Sequence, residues 1–179
     1  MDNDLKWYVL RVRPRHEKTV AERLSERFEV FLPLISQRRK WSDRMKTIDV
    51  PLFSGYLFIK TAAKMKYVIL EEQGAGGFVQ FGAKPAEIRE SEIEAIRKFL
   101  LYPETLTVED GYRFTRGDLI RITRGVFAGV EGKVIQQKNK YRLFITIEQL
   151  GKIVSVEIDA EYLEKRSRQD TAERREKRS

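Results

Sequence analysis

Apolar and polar positions alternate from Trp7 to Arg13, with Tyr8, Leu10 and Val12 pointing one way and Trp7, Val9, Arg11 and Arg13 the other. That is the period of a strand, and this one ends basic. Pro14 closes it, and from Glu17 the residues Val20, Ala21, Leu24 and Phe28 recur at helical spacing, which predicts a first helix to about Arg27. Phe28 to Ile35 reads as a second strand broken at Pro33, and the charged run from Gln37 to Lys46 as a hairpin tip, with Ile48, Val50 and Leu52 alternating on its far side. Phe53 to Ile59 is an aromatic strand entered through the Ser54-Gly55 turn. Met65, Val68 and Ile69 mark a short helix that is expected to stop in Gly74-Ala75-Gly76-Gly77, before a strand at Phe78 to Phe81 and a turn containing Gly82 and Pro85. Ser91 and Glu94 have capping-box spacing, and Ile93, Ile96, Phe99 and Leu100 supply the buried stripe of a third helix. The order βαβββαβα predicts an α+β unit in which helices flank an antiparallel sheet.

Residues 102–111 contain Pro103, acidic residues and Gly111 with no regular apolar face, and read as a linker. The texture then changes to short β-runs at Leu119 to Thr123, Gly129 to Gln136, Tyr141 to Ile147 and Lys152 to Ile158, with a weak one near Tyr162. Short strands separated by glycine-bearing turns within about 50 residues predict a small barrel. Because Leu143, Ile145 and Ile147, then Val154, Val156 and Ile158, keep period two, a β rather than helical form is expected over 112–163. Residues 164–179, rich in charge of both signs, read as a disordered tail or a frayed helix.

Composition narrows the function. Thirty-five Lys and Arg against 27 Asp and Glu give a formal charge of +8, which favours a polyanionic partner, nucleic acid first. The absence of cysteine removes disulfides, thiolate nucleophiles and sulfur-bound zinc. Gly74 to Gly77 lacks the spacing and Lys-Ser/Thr of a phosphate loop, and the single histidine, His16, supports no catalytic set, so neither an enzyme nor a cofactor is expected. No stretch approaches the ~20 apolar residues that span a bilayer, and a cytoplasmic monomer is expected. The segment from Arg38 to Lys46 carries Arg38, Arg39, Lys40, Arg44 and Lys46 against Asp43, with Trp41 in the middle. Such a hairpin can grip a nucleic-acid backbone and stack a base, or be a solvated tip whose tryptophan packs on the sheet.

Trp7-Tyr8, the Phe53-Ser54-Gly55-Tyr56-Leu57-Phe58 strand, Phe78-Val79-Gln80-Phe81-Gly82, and Gly117-Asp118 followed by Gly125-Val126-Phe127-Ala128-Gly129-Val130-Glu131-Gly132 together resemble the NusG family. The resemblance covers residues 6 to about 163. It implies an NGN domain over 5–101, a linker over 102–111 and a KOW SH3-like barrel over 112–163. The Arg38 to Arg44 run and Phe78 to Pro85 look most like the operon-specific paralogues UpxY and RfaH.

Such proteins dock on the RNA polymerase clamp helices and disfavour pausing or termination, in the specialised paralogues at particular operons such as those for polysaccharides. By resemblance, Tyr8, Phe53, Tyr56 and Phe58 are the polymerase-binding residues, with Ile96 and Phe99 on the third helix as further candidates. The alternative for each ring is core, although a small sheet has room for only some of them. Arg11, Arg13, Arg15 and His16 lie where the first strand leaves the sheet, and the paralogues use a basic residue matching Arg13 against non-template DNA. A solvated strand end is the alternative. Phe127, at the tip of the KOW turn, implies a contact to Rho or a small-subunit ribosomal protein, though the motif's glycines serve turn geometry in any case. Ser54 replaces the family's usual proline, and Lys64 to Val68 lacks the His-Thr-Thr pattern with which RfaH touches the opposite jaw of the cleft. A general NusG acting with Rho, and a KOW-type protein binding nascent RNA or the ribosome, are the competing readings.

Overall fold

The computed structural model describes residues 4–41, 44–111, 117–137 and 140–163, with the side chains of Trp41 and Gln137 also outside the description. The expectations for Ser42 and Asp43, for the Trp41 side chain and for the tail at 164–179 therefore lie outside the described residues.

In chain order the first unit comprises β1 (Lys6–Val12), α1 (Glu17–Ser25), β2 (Glu29–Phe31), β3 (Leu34–Trp41), β4 (Arg44–Pro51) and β5 (Tyr56–Thr61). A 3-10 turn (Ala63–Met65), α2 (Lys66–Leu70), β6 (Ala75–Phe78), β7 (Gln80–Phe81), β8 (Lys84–Pro85), β9 (Glu87–Ile88) and α3 (Glu90–Phe99) complete it. β1 is central in a sheet ordered β2-β5-β1-β6, with β9 on its opening residues. It is covered on both faces, so Trp7, Tyr8, Val9 and Leu10 are all buried. Trp7 and Val9 join Phe58, Ile93, Ile96 and Phe99 under α3, while Leu10 and Val12 join Val20, Leu24 and Ile69 under α1 and α2.

Two local readings change. Ala75–Phe78 is a strand, because its glycines let the backbone follow an irregular pairing with β1: Gly77 has φ of 116° beside the register shift at Arg11 and Val12. The cap of α3 is not Ser91 with Glu94 but Glu92, whose Oε2 accepts the Arg89 amide at 3.0 Å, because the helix starts one turn-fraction earlier at Glu90. Glu94 instead pairs with Arg97 at 3.2 Å.

β3 and β4 pair with each other, and with no third strand among the described residues, from Leu34 opposite Pro51 to Trp41 opposite Arg44. The ribbon is closed at its base by the Leu52 amide donating to the Pro33 carbonyl at 2.8 Å, and beyond Ile35 it is exposed at Ser36 to Lys40 and Arg44 to Thr47.

The second unit contains β10 (Thr107–Asp110), β11 (Asp118–Arg121), β12 (Glu131–Gln137), β13 (Lys140–Ile147) and β14 (Lys152–Ile158), ordered β10-β14-β13-β12-β11 and antiparallel throughout. Leu143, Ile145, Ile147, Val154, Val156 and Ile158 fill its interior, as their alternation predicts. The strand expected near Tyr162 is instead a 3-10 turn at Ala160–Tyr162, and the fifth strand, β10, comes from the segment read as a linker. Thr107–Asp110 is polar because it is an edge strand, fastened by Arg142, which donates to the Thr105 carbonyl at 2.5 Å and the Ser155 hydroxyl at 2.9 Å. Among the described residues no helix is long and apolar enough to cross a membrane.

Candidate functional site

The expected polymerase-binding residues fall on two different faces of the first sheet. Tyr8 faces α1 and α2, where its ring meets Phe78 edge-on at 6.0 Å and carries the Lys66 ammonium 3.7 Å above it. Burial against these rings holds the Lys66 pKa below the ordinary lysine value, against the opposing pull of Glu87. Phe53 and Phe58 face α3 instead, in contact edge-on at 5.9 Å, with Phe31 stacked on Phe58 at 5.8 Å. Ile96 and Phe99 lie over the same core. Strand alternation sets this division, since Tyr8 is even in β1 while Phe58 sits opposite the odd Val9.

Five of these six side chains are no more than 3% exposed; Tyr56 alone is half-buried. It stands at the start of β5, opposite Arg11 of β1, and Arg11 in turn is opposite Gly77 of β6. A Cβ on Gly77 would meet nothing within 4 Å, so this end of the face is open. Tyr56 thus lies at the accessible margin of an otherwise closed aromatic bed.

Phe127, expected at an exposed tip, is fully buried. Its ring lies 5.8 Å from Phe99 and 5.0 Å from Tyr102, with Tyr162 at 6.4 Å. The contact to Phe99 joins the two units. Lys98 Nζ donates to the Ala128 carbonyl, and Gln149 Nε2 to the Glu87 carbonyl at 2.7 Å, across the same junction. Between the start of α3 and the outer face of β11 to β13 runs a cleft of about 480 Å³ lined by Arg89, Ala95, Leu119, Arg121 and Lys133 among others. No spacing in the sequence signals this junction, because its members are brought together only by the packing of one unit on the other.

The basic candidates are placed at one end of the molecule. β2 runs from Glu29 opposite Lys60 to Phe31 opposite Phe58, towards the end where β1 leaves the sheet, so the β3–β4 ribbon springs from that end. There the Val12 amide donates to the Gly55 carbonyl at 2.8 Å, and the Gly55 amide donates to the buried Glu17 carboxylate at 2.8 Å. Arg11, Arg13, Arg15 and His16 are exposed or at the surface here, and Arg38, Arg39, Lys40 and Arg44 are exposed along the ribbon. Arg15 has φ of 70°, the one non-glycine positive φ among the described residues. His16 closes that turn, its amide donating to the Arg13 carbonyl at 3.0 Å.

The comparisons agree with this architecture. A family model described as "Transcription termination factor nusG" matches residues 5–97. The transcription termination/antitermination protein NusG of Lactococcus lactis subsp. lactis (strain IL1403) is 26% identical over 176 residues, covering 90% of this chain and 93% of the relative. The protein of the same name from Staphylococcus aureus (strain MW2) is 25% identical over 177 residues, covering 89% and 95%. A solved structure described as "Domain interaction in Thermotoga maritima NusG" aligns with a TM-score of 0.53 at 19% identity, covering 92% of this chain and 98% of that one, a likeness of fold. With the family model spanning more than half of the chain, from the start of β1 into α3, the chain belongs to the NusG family of transcription termination and antitermination factors.

Proposed function

We propose that the chain rides on RNA polymerase through the face of its first unit that carries Tyr56, and suppresses pausing or termination there. The observation that carries this reading is the half-exposed Tyr56, packed at the margin of the cluster that holds Phe31, Phe53 and Phe58 and open at Gly77. A ring held rigid by others below it offers a partner helix a large contact area at little rotamer cost. Ile96, Phe99 and Phe127 would reach partners only when the two units part, since the present packing sets Phe99 against Phe127. On this reading the clamp helices of the polymerase compete with the barrel for one surface, and a ribosomal protein or Rho takes up Phe127 once it is released. Exposed Arg11, Arg13 and Arg15 serve nucleic acid beside the polymerase.

The test is binding of the purified chain and of Tyr56→Ala to reconstituted elongation complexes, with read-through of pause sites and a Rho terminator followed in the same reactions. Tight binding and read-through that both fall in the folded variant support the reading. No binding to any elongation complex, with retained affinity for bare RNA, refutes it in favour of a KOW-type RNA-binding protein. Phe58→Ala is unsuitable, because Phe58 is fully buried.

We read the factor as operon-specific, for polysaccharide-type operons, on the Arg38 to Arg44 run and the Phe78 to Pro85 segment. The relatives' names, transcription termination/antitermination protein NusG, specify no operon, and a general factor acting with Rho is the alternative. Transcript profiling after gene deletion separates the two, a few operons changing in the first case and many in the second.

A further inference from the structure

Most cations of this chain that lie near an acid are paired with it: Lys60 with Glu90 at 2.8 Å, Arg23 with Glu72 at 3.0 Å, and Lys140 with Glu157 at 2.6 Å are representative. Arg38, Arg39, Lys40 and Arg44 on the ribbon, and Arg13 and Arg15 at its foot, have no acidic partner among the described residues. The described acid on the ribbon, Asp49, accepts from the Ser36 hydroxyl at 2.6 Å instead. Concentrated positive charge on the exposed outer half of a two-stranded ribbon is not needed to hold the ribbon together, and it repels itself.

We propose that the β3–β4 ribbon docks in the major groove of B-form duplex DNA, with the Arg13 to Arg15 turn on the backbone at its foot. The proposal rests on the nucleic-acid contact in the reading above and names its class. Size comes first. The part beyond Ile35 is about 20 Å long at strand rise, and a two-stranded ribbon is an element that a B-form major groove about 12 Å wide admits. The deep, narrow major groove of A-form RNA does not admit it.

The distribution of charge then favours a groove over a single strand. By register, Arg39 and Arg44 lie on one face of the ribbon, and Arg38 and Lys40 on the other. A single strand laid along either face would leave the other pair unneutralised. In a groove the inner face meets base edges, where Gln37 and Arg39 can make forked contacts. Arg38 and Lys40 of the outer face, both on β3, can bend to the phosphate wall on that side. At the foot, Arg15 keeps a left-handed backbone conformation in which glycine or asparagine would be less strained, as a residue retained for its side chain does.

The experiment titrates the full chain by fluorescence anisotropy, over a range of salt, against a 20-base-pair DNA duplex, one of its separated strands and an RNA duplex of the same sequence. A fourth probe is the DNA duplex with its major groove filled by glucosylated hydroxymethylcytosine. Affinity at least tenfold higher for the plain DNA duplex than for each of the other three is expected. Four phosphate contacts, from Arg38, Lys40, Arg13 and Arg15, would give a log–log salt slope of about −4; Arg38→Gln/Lys40→Gln should reduce its magnitude by about 2, whereas Arg39→Gln/Arg44→Gln, on the base-facing side, should lower affinity about tenfold with little change of slope. These positions are exposed, so circular dichroism and Tm should stay unchanged in both variants. Equal affinity for the single strand, the RNA duplex or the groove-filled duplex overturns the proposal, as does a slope insensitive to Arg38→Gln/Lys40→Gln or an affinity insensitive to Arg39→Gln/Arg44→Gln. Polymerase binding is measured on the same variants. Duplex binding that fails while polymerase binding survives overturns the groove assignment alone; the reverse overturns the polymerase reading alone.

Discussion

Phe127→Ala distinguishes a buried junction from an exposed recognition tip. The ring is fully buried and meets three others, Phe99, Tyr102 and Tyr162. Phe99 belongs to the first unit, Tyr102 to the segment between the units and Tyr162 to the end of the second, so one truncation loosens all three. Removing a buried phenylalanine costs about 3–5 kcal/mol, to which loss of the aromatic pair geometries contributes about 0.5–1.5 kcal/mol per pair. For a chain of this size each kcal/mol lowers Tm by about 2–4 °C, giving a fall of about 6–20 °C. Thermal unfolding followed by near-ultraviolet circular dichroism, where tyrosine and phenylalanine packing reports directly, is the assay. Amide exchange should show faster opening at Ala128 and Val130, whose own amides donate to the Gly125 and Phe127 carbonyls in the turn that carries the ring. Phe127→Leu should keep most of the stability by keeping most of the volume. A Phe127→Ala protein within about 1 °C of wild type would refute the reasoning, since a solvated side chain costs no more than ~0.5 kcal/mol to truncate.

Arg15→Gly should raise stability by about 1 kcal/mol in urea unfolding, through relief of its left-handed φ, while weakening duplex-DNA binding; no gain in stability would mean that the turn carries no strain. Glu17→Ala should cost about 1–3 kcal/mol because the Gly55 amide loses its buried acceptor, whereas Glu17→Gln should retain most of the stability; equal losses would show that the charge, not the acceptor, matters. The Lys60 hydrogen bond, assisted by Trp7 Nε1 at 3.0 Å, holds the Glu90 carboxyl below the usual glutamate range against the opposing effect of burial. Its contribution is therefore full above the unfolded pKa near 4.5 and is lost as pH falls through the lower folded value. Glu90→Gln should flatten the acid limb of the stability–pH curve below about pH 5 and leave its shape near neutrality unchanged, with Trp7 fluorescence as the readout. Lys60 works in the opposite sense: the Glu90 hydrogen bond raises its pKa above 10.5, so its contribution is full below that value and is lost as pH rises through the folded pKa.

What the sequence made legible follows the range of the interactions concerned. β1, α1, α3 and strands β12 to β14 are visible because each carries its own period, two or 3.6, within its own residues, however far away its partners lie. β10 is not, because Thr107–Asp110 has one apolar residue, Val108, and becomes a strand only through its register with Ser155 to Lys152. Gly74 to Gly77 misleads for a related reason. Glycine runs break isolated strands, but here Gly77 takes a φ of 116° beside the register shift in β1, so glycine permits the pairing.

The same division runs through the candidate site. The ribbon reads correctly as exposed because its outer positions offer no apolar stripe for anything to cover, and that can be judged within the segment. The aromatic positions cannot be judged that way. Period two assigns Phe58 to a face and a 3.6 period assigns Phe99 to a stripe, but neither tells whether a second unit will close over that face. Phe127 reads as a tip on its own turn, yet it is core once Phe99 lies above it. Tyr56 differs from its neighbours only in standing at the open margin beside Gly77. In a two-unit chain, then, the residue best suited to a binding test is one that stays accessible whichever way the units are packed. That criterion selects Tyr56 over Phe53, Phe58, Ile96 and Phe99, and it makes loss of polymerase binding in Tyr56→Ala informative about an interface rather than about folding.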